Sequence, residues 1–364
     1  MLSTEFIPAA KPLIGDEERA AVDAVLRSGM LAQGPEVAAF EKEFSEVLVD
    51  GRAAVAVNSG TSGLHLGLLA AGIGPGDEVI VPSFTFAATA NSVALTGATP
   101  VFADIELDYY CLDPQSVASV ITEKTKAIMP VHLYGHPANM PALRQLADEH
   151  NLMLFEDAAQ AHGAEIAGKR VGAWGTFAMF SLYPTKNMTS GEGGIVTAEN
   201  NAVERNLRLL RNQGMEVQYA NEIAGFNARM TDIHAAIGRV QLTKIWGWTA
   251  QRQQNAAFLT ENLSGVIAPK VADTAKHVYH QYTIRVEDDR DGLAKALREE
   301  YLIGSGVYYP IPNHRLPSFQ RPEDLPNTET AAQQVLSLPV HPSLSQSDLE
   351  RIVTAVNTVA KAGS

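Results

Sequence analysis

Asp157 and Lys186 are the residues whose types and surroundings best suit chemistry on a bound small molecule. Asp157 closes the apolar run of L-F-E-D-A-A-Q-A-H-G-A, where the pattern predicts a buried strand over 152–155 that delivers the acid to its carboxyl end. A buried carboxylate costs several kcal/mol unless it is paired or hydrogen-bonded, which favours a working role. Lys186 follows 29 positions later in F-S-L-Y-P-T-K-N-M-T-S-G-E-G-G, read as strand 176–181, a turn at Pro184 and a glycine cluster that lets the backbone come close. A lysine between Thr185 and Asn187 also fits an ordinary solvated surface group. Desolvation and a neighbouring imine would instead lower its pKa, as an amine nucleophile and proton carrier requires. Acid and amine together suit a cofactor with a pyridine ring and an aldehyde. The carboxylate keeps the ring nitrogen protonated, and the amine holds the aldehyde as a Schiff base. Pyridoxal 5′-phosphate (PLP) is such a cofactor.

Three other stretches could serve the same molecule. N-S-G-T-S-G, residues 58–63, follows a β-branched strand and opens a helix, so its amides and the Thr61 and Ser62 hydroxyls point where a phosphate could sit. The same string also fits a capped glycine turn that binds nothing. Phe84 and Phe86, in P-S-F-T-F-A-A-T-A-N, lie just past a strand end, where open α/β sheets bind ligands. Either could stack on a pyridine ring or simply fill the core. Gln160 is placed to hydrogen-bond a phenolic oxygen, and His162 fits both a ring contact and a satisfied core histidine. His132 and His136 have helical metal-ligand spacing, but Tyr134, Gly135 and Pro137 make the segment a loop, and no metal is expected. Gly72 to Gly76 reads as a plain turn, and the acids at 288–291 as a solvated one.

These residues need a scaffold of alternating strands and helices. A dipole-complemented helix is predicted over 16–28, followed by one carrying Val37, Phe40, Phe44 and Val47 on a single face. Strand 53–57, the 58–63 turn and helix 64–71 come next. Strands at 78–81, 101–103 and 127–131 then alternate with helices at 87–95, 116–121 and 140–150. Such alternation implies a mainly parallel twisted sheet with helices on both faces. After strand 194–198 and helix 201–211, a helix at 232–245 is expected to set Ile233, Ile237, Val240 and Leu242 against the core. A separate helix at 249–263 leads into strand 279–286, helix 293–300, strand 307–309 and helix 347–359, a small α+β unit. The boundary is placed near residue 246, giving a large α/β domain (1–245) and a C-terminal domain (246–364).

Composition narrows the function. The 364 residues are 46% hydrophobic and 19% charged, enough for a large core and against wholesale disorder. A formal net charge of −13 argues against nucleic-acid or anionic-membrane partners. A single cysteine, Cys111, precludes an internal disulfide and fits a reducing compartment. The start M-L-S-T-E-F-I-P lacks a signal-peptide pattern, and no window is long and apolar enough to span a bilayer, so a cytoplasmic location is expected.

The motifs, in order, resemble the DegT/StrS-type nucleotide-sugar aminotransferases, a branch of the aspartate-aminotransferase superfamily. The likeness runs from G-P-E-V-A-A-F-E through V-N-S-G-T-S-G-L-H-L, V-H-L-Y-G, F-E-D-A-A-Q-A-H-G-A and F-S-L-Y-P-T-K-N to G-F-N-A-R-M-T-D-I-H, Y-Y-P-I-P-N-H and S-L-P-V-H-P. It implies a fold type I PLP-dependent transferase: a large domain with a mainly parallel mixed sheet flanked by helices, plus a smaller C-terminal α+β domain. By the same resemblance Lys186 forms the Schiff base, Asp157 partners the pyridine nitrogen and Gln160 meets the ring hydroxyl. Gly60, Thr61, Ser62 and Ser181 hold the phosphate, and Phe86 stacks on the ring. Asn227 reaches the neighbouring subunit's cofactor, which implies a homodimer with shared sites. Tyr309 and His314 fall where the sugar is met; apart from the resemblance, charge alone requires local cations such as Arg229 or Arg315 to face a diphosphate in so acidic a chain. Ala228 departs from the tyrosine of many relatives. The implied reaction moves an amino group from an amino acid, glutamate in this family, to a nucleotide-linked keto-sugar. Dehydration, amination of a cyclitol and a PLP-binding regulatory role are the alternatives; Lys186 favours amino transfer, because a dehydrating branch carries histidine there.

Overall fold

The computed structural model describes residues 5–362; the first four residues, part of the stretch that bears on a leader, lie outside them. The central strands are β1 (Ala53–Val57), β2 (Glu78–Pro82), β3 (Thr99–Ala103), β4 (Thr125–Ile128), β5 (Met153–Asp157), β6 (Phe177–Ser181) and β7 (Gly194–Ala198). Among the described residues they form one seven-stranded sheet in the order β1-β7-β6-β5-β4-β2-β3. The pairs β6-β5, β5-β4, β4-β2 and β2-β3 are parallel, whereas β7 is antiparallel to both β6 and β1.

The antiparallel strand has a local cause. A parallel return needs a crossover, usually a helix, and the loop between β6 and β7 contains none. The chain therefore doubles straight back and leaves the loop that bears Lys186 at the carboxyl edge of β6. Because β7 opposes both neighbours, β1 runs in the same direction as β6. The carboxyl ends of β1, β2, β5 and β6 thus share one edge of the sheet.

Strand residues alternate between two apolar layers, as a pleat of period two requires. Val55, Val57, Phe177 and Met179 join the cluster that contains Leu64, Leu66 and Phe155. Ala54, Ala56, Ala178 and Phe180 join the opposite one, with Phe40, Phe44, Leu242 and Ile245. A further cluster lies in the C-terminal part, around strands β8 (Tyr282–Arg285) and β9 (Val335–Leu338), an antiparallel pair. It takes in Ile7, Ala256 and Leu259.

Several expected boundaries move. The stretch read as a 58–63 turn already belongs to helix Gly60–Ala70, because Ser59 caps it, its Oγ accepting from the Ser62 amide at 3.1 Å. The helices expected at 232–245 and 249–263 are one helix, Asp232–Asn262, which passes through Gly247 without a break. A single helical glycine costs only about 1 kcal/mol, too little to end so long a packed element. Its inward face also differs: Ala235, Gly238, Leu242 and Ile245 are buried, while Ile233, Ile237 and Val240 are half-buried. Gly238 sets this face, since a Cβ there would stand 2.6 Å from the Phe40 ring. Val47, expected in the core, is also only half-buried. The expected strand 279–286 shortens to Tyr282–Arg285 because Tyr279 has φ +44°, outside the extended region. No strand forms at 307–309; the preceding Gly306 makes only an isolated bridge, with Ser337.

Candidate active site

At the shared carboxyl edge lies a cavity of about 490 Å³, between the sheet and the C-terminal part. Gly60 and Thr61 line it from the first turn of helix Gly60–Ala70, and Ser181 from the end of β6. The first amides of a helix lack intrahelical acceptors, so this corner suits an anion. Asp157, Gln160, Phe86, Lys186 and Tyr309 complete the sequence-derived residues that meet here. The Tyr309 hydroxyl accepts from Gln160 Nε2 at 3.3 Å, and the Phe86 and Tyr309 rings lie 5.8 Å apart. Gln160 Oε1 already accepts from the Tyr134 amide at 2.7 Å.

Other expected residues are not brought to this cavity. The Ser62 hydroxyl turns back to Ser59 Oγ at 2.9 Å. Asn227 is exposed, and Arg229 donates to Asn212 Oδ1 at 2.7 Å. His314 is fully buried between Ser83 Oγ, 2.6 Å away, and Glu329, 3.1 Å away. Arg315 donates to the same Glu329 carboxylate at 2.8 Å. Phe84 sits in the core, and His162 lies against Phe44 and Phe180, where burial pushes its imidazole down to about 3.

The electrostatics of the two principal residues follow from burial. Burial pushes the Asp157 carboxyl above its usual range, and four groups oppose the shift: the Thr89 hydroxyl donating at 2.7 Å, the Ala159 amide at 3.1 Å, the Lys186 charge and His132. Burial brings the Lys186 ammonium down to about 8, while Asp157 works to hold it up. Beside Asp157, Glu156 points the other way. It accepts from the amides of Gly172, Trp174 and Gly175 at 2.8, 2.8 and 2.9 Å and faces His132 at 3.2 Å. The pair Glu156-Asp157 thus divides into one structural and one cavity-facing acid.

Sequence reasoning missed Thr85, Thr89, Arg252, His280 and His341, which support or line the cavity. A signal existed for Arg252. It stands at seven-residue spacing in the buried series Gly238, Ile245, Arg252 and Leu259, a charge on an otherwise inward stripe.

The family model of the DegT/DnrJ/EryC1/StrS aminotransferases matches residues 12–357. The chain belongs to that family. Among DegT/DnrJ/EryC1/StrS relatives, the dTDP-3-amino-3,4,6-trideoxy-alpha-D-glucose transaminase of Streptomyces venezuelae is 42% identical, over 98% of this chain and 95% of its own. The solved S. venezuelae DesV, in complex with a ketimine intermediate, superposes with a TM-score of 0.92 at 41% identity, covering 97% of this chain and 99% of that one. A putative sugar aminotransferase of Streptococcus pneumoniae, Spr1654, solved in its PLP form, gives a TM-score of 0.93 at 27% identity, covering 99% of this chain and 100% of that one. The fold is therefore fold type I. Among the described residues no group of histidine, cysteine and acidic side chains is arranged to hold a metal, and no helix is long and apolar enough to cross a membrane.

Proposed function

We propose that this chain is a PLP-dependent aminotransferase that moves an amino group from an amino acid, glutamate, to a keto-sugar carried on a nucleoside diphosphate, for amino-sugar biosynthesis. The observation that carries the reading is the meeting of Asp157 and Lys186 in one cavity, beside the helix-terminus corner at Gly60 and Thr61. The residues fit the cofactor: a buried acid awaiting a cation, a lysine whose side chain pairs with no described residue, and an anion corner. Gly60, Thr61 and Ser181 would hold its phosphate, Asp157 its ring nitrogen and Phe86 its ring face, while Gln160 would reach the ring hydroxyl. When bound, PLP supplies an aldehyde to carry nitrogen and a ring to accept an electron pair. Lys186 contributes an amine that is readily neutral near physiological pH, so it can hold the cofactor and afterwards move the donor's α-proton. Asp157 keeps positive charge on the ring side of the cavity.

The working unit in this reading is a cytoplasmic homodimer. Asn227 is exposed and away from its own cavity, as a residue presented to a neighbouring subunit would be. Arg229 would act from the same segment, and Tyr309 would meet the sugar. His314, buried against Glu329, supports the loop beside it.

Reduction of the PLP-loaded protein with borohydride, followed by peptide mapping, tests the reading. The label is expected on Lys186, and Lys186→Ala should lose it together with all amino transfer. A label elsewhere overturns the assignment. Product mass then separates amino transfer from dehydration or cyclitol amination, and a cofactor-loaded protein inert to every amino donor would point to a regulatory role.

A further inference from the structure

Arg252 is the feature of the cavity that the reading above does not use. Three arginines are buried among the described residues: Arg211, Arg252 and Arg351. Arg211 donates to the Glu41 carboxylate at 2.5 Å, and Arg351 has Asp348 at 3.7 Å. Arg252, 6% exposed, has no carboxylate partner among the described residues, in a chain whose formal net charge is −13. Its Nη1 donates to the carbonyl oxygens of Tyr279 and His280 at 3.2 and 3.4 Å. Its Nε is buried without an acceptor, and its Nη2 hydrogen-bonds to no described residue. Nε is shut off from the cavity, so Nη2 is the end of the guanidinium left to meet an anion there, through a charge-assisted hydrogen bond. Burial without an opposing anion lowers this guanidinium to about 10, against its ordinary value of 12.5. A buried, uncompensated cation is costly, and an anion that arrives in the cavity removes the cost.

His280, which meets Arg252 through Nη1, has a defined tautomer. Asn187 donates through Nδ2 to the Val278 carbonyl at 3.0 Å, so its Oδ1 is the acceptor that faces His280 Nδ1 at 3.2 Å. His280 therefore carries its proton on Nδ1. The residue that orients it adjoins Lys186, so the Arg252 corner and the lysine are parts of one wall.

We infer that Arg252 is the specificity residue that seats a carboxylate of the amino-acid donor, through its unpartnered Nη2. The inference rests on the aminotransferase reading and deepens it. It assigns the donor's anion to the C-terminal part of the cavity and leaves the cofactor phosphate to the Gly60 corner on the sheet side.

Calorimetric titration of the PLP-loaded protein with glutarate, a dicarboxylate without an amine, tests it independently of turnover. Arg252→Gln should bind glutarate about 10- to 100-fold more weakly, the range for a lost hydrogen bond to a charged group. Binding of thymidine diphosphate should be unchanged. In rapid mixing with glutamate, the concentration needed for half-maximal loss of the cofactor's visible band should rise by a similar factor. If alanine weakens equally, the α-carboxylate is the seated group; if glutamate alone weakens, it is the distal one. Should Arg252→Gln fail to fold or to hold PLP, Arg252→Lys keeps the charge without Nη2 and should weaken glutarate by a smaller but measurable factor. Unchanged glutarate affinity in the folded variant overturns the inference, as does weakened thymidine diphosphate with intact glutarate. A wild type that binds glutarate through Arg252 but never responds to amino acids sinks the aminotransferase reading instead.

Discussion

The Thr89 hydroxyl donates to Asp157 Oδ2 at 2.7 Å, joining residues 68 positions apart. Thr89 in turn lies 3.2 Å from the Thr85 hydroxyl, so the acid at the end of β5 is steadied from the segment after β2. Thr89→Val should remove this donor and let burial drive the Asp157 carboxyl further up. Loss of a charged hydrogen bond predicts a fall in kcat of about tenfold or more, with the acid limb of the pH profile moved upward. Thr89→Ser should restore most of the rate.

Lys186 should react as an amine of pKa about 8. The neutral form is the nucleophile, so in cofactor-free protein the rate of combination with PLP should rise with pH and level off above about 8. A solvated lysine would keep rising toward about 10.4. Stopped-flow absorbance across pH 6–10.5 would read the midpoint.

Glu156 provides a stability test. Burial alone would raise its carboxyl, but His132 and the amides of Gly172 and Gly175 outweigh that and hold it below 4.5. A depressed acid stabilises the fold above its unfolded value, and that contribution is lost as pH falls through the lower folded value. The wild type should therefore lose part of its stability below about pH 4.5. Glu156→Gln should lack that loss, yet be weaker at pH 7 by about 3–5 kcal/mol. Urea unfolding at several pH values measures both.

Helix Gly60–Ala70 lies close on the sheet through Gly67, where a Cβ would meet the Phe177 ring at 2.6 Å. That ring stacks on Phe155 with centroids 4.5 Å apart, so it has little room to retreat. Gly67→Ala should cost about 1–3 kcal/mol, seen as a lower urea midpoint with an unchanged slope.

The legible part of this site was its sheet side. Acid, lysine and anion corner each follow a strand, and apolar runs bounded by turn residues reveal strands well. The C-terminal side was obscured for one reason above others. Dividing Asp232–Asn262 into two helices at 246–248 broke the series Gly238, Ile245, Arg252 and Leu259, so Arg252 had no stripe to interrupt. The partners of His314 and Arg315 were hidden differently. Glu329 lies 15 and 14 positions away, and nothing local announces such a pairing.

The undivided helix also constrains how reactants enter. Its 31 residues make a rod about 46 Å long. One end is tied through Asp232, whose carboxylate takes the amides of Gly34, Glu36 and Val37, and the other is sunk among Ala256, Leu259 and their apolar neighbours. Such a strut resists folding across its middle, and the ion pairs of Arg239 with Glu36 and Glu43 and of Lys244 with Glu18 resist its turning about its length. Access to the cleft must therefore come from the loops at its mouth, not from jaws hinged at Trp246.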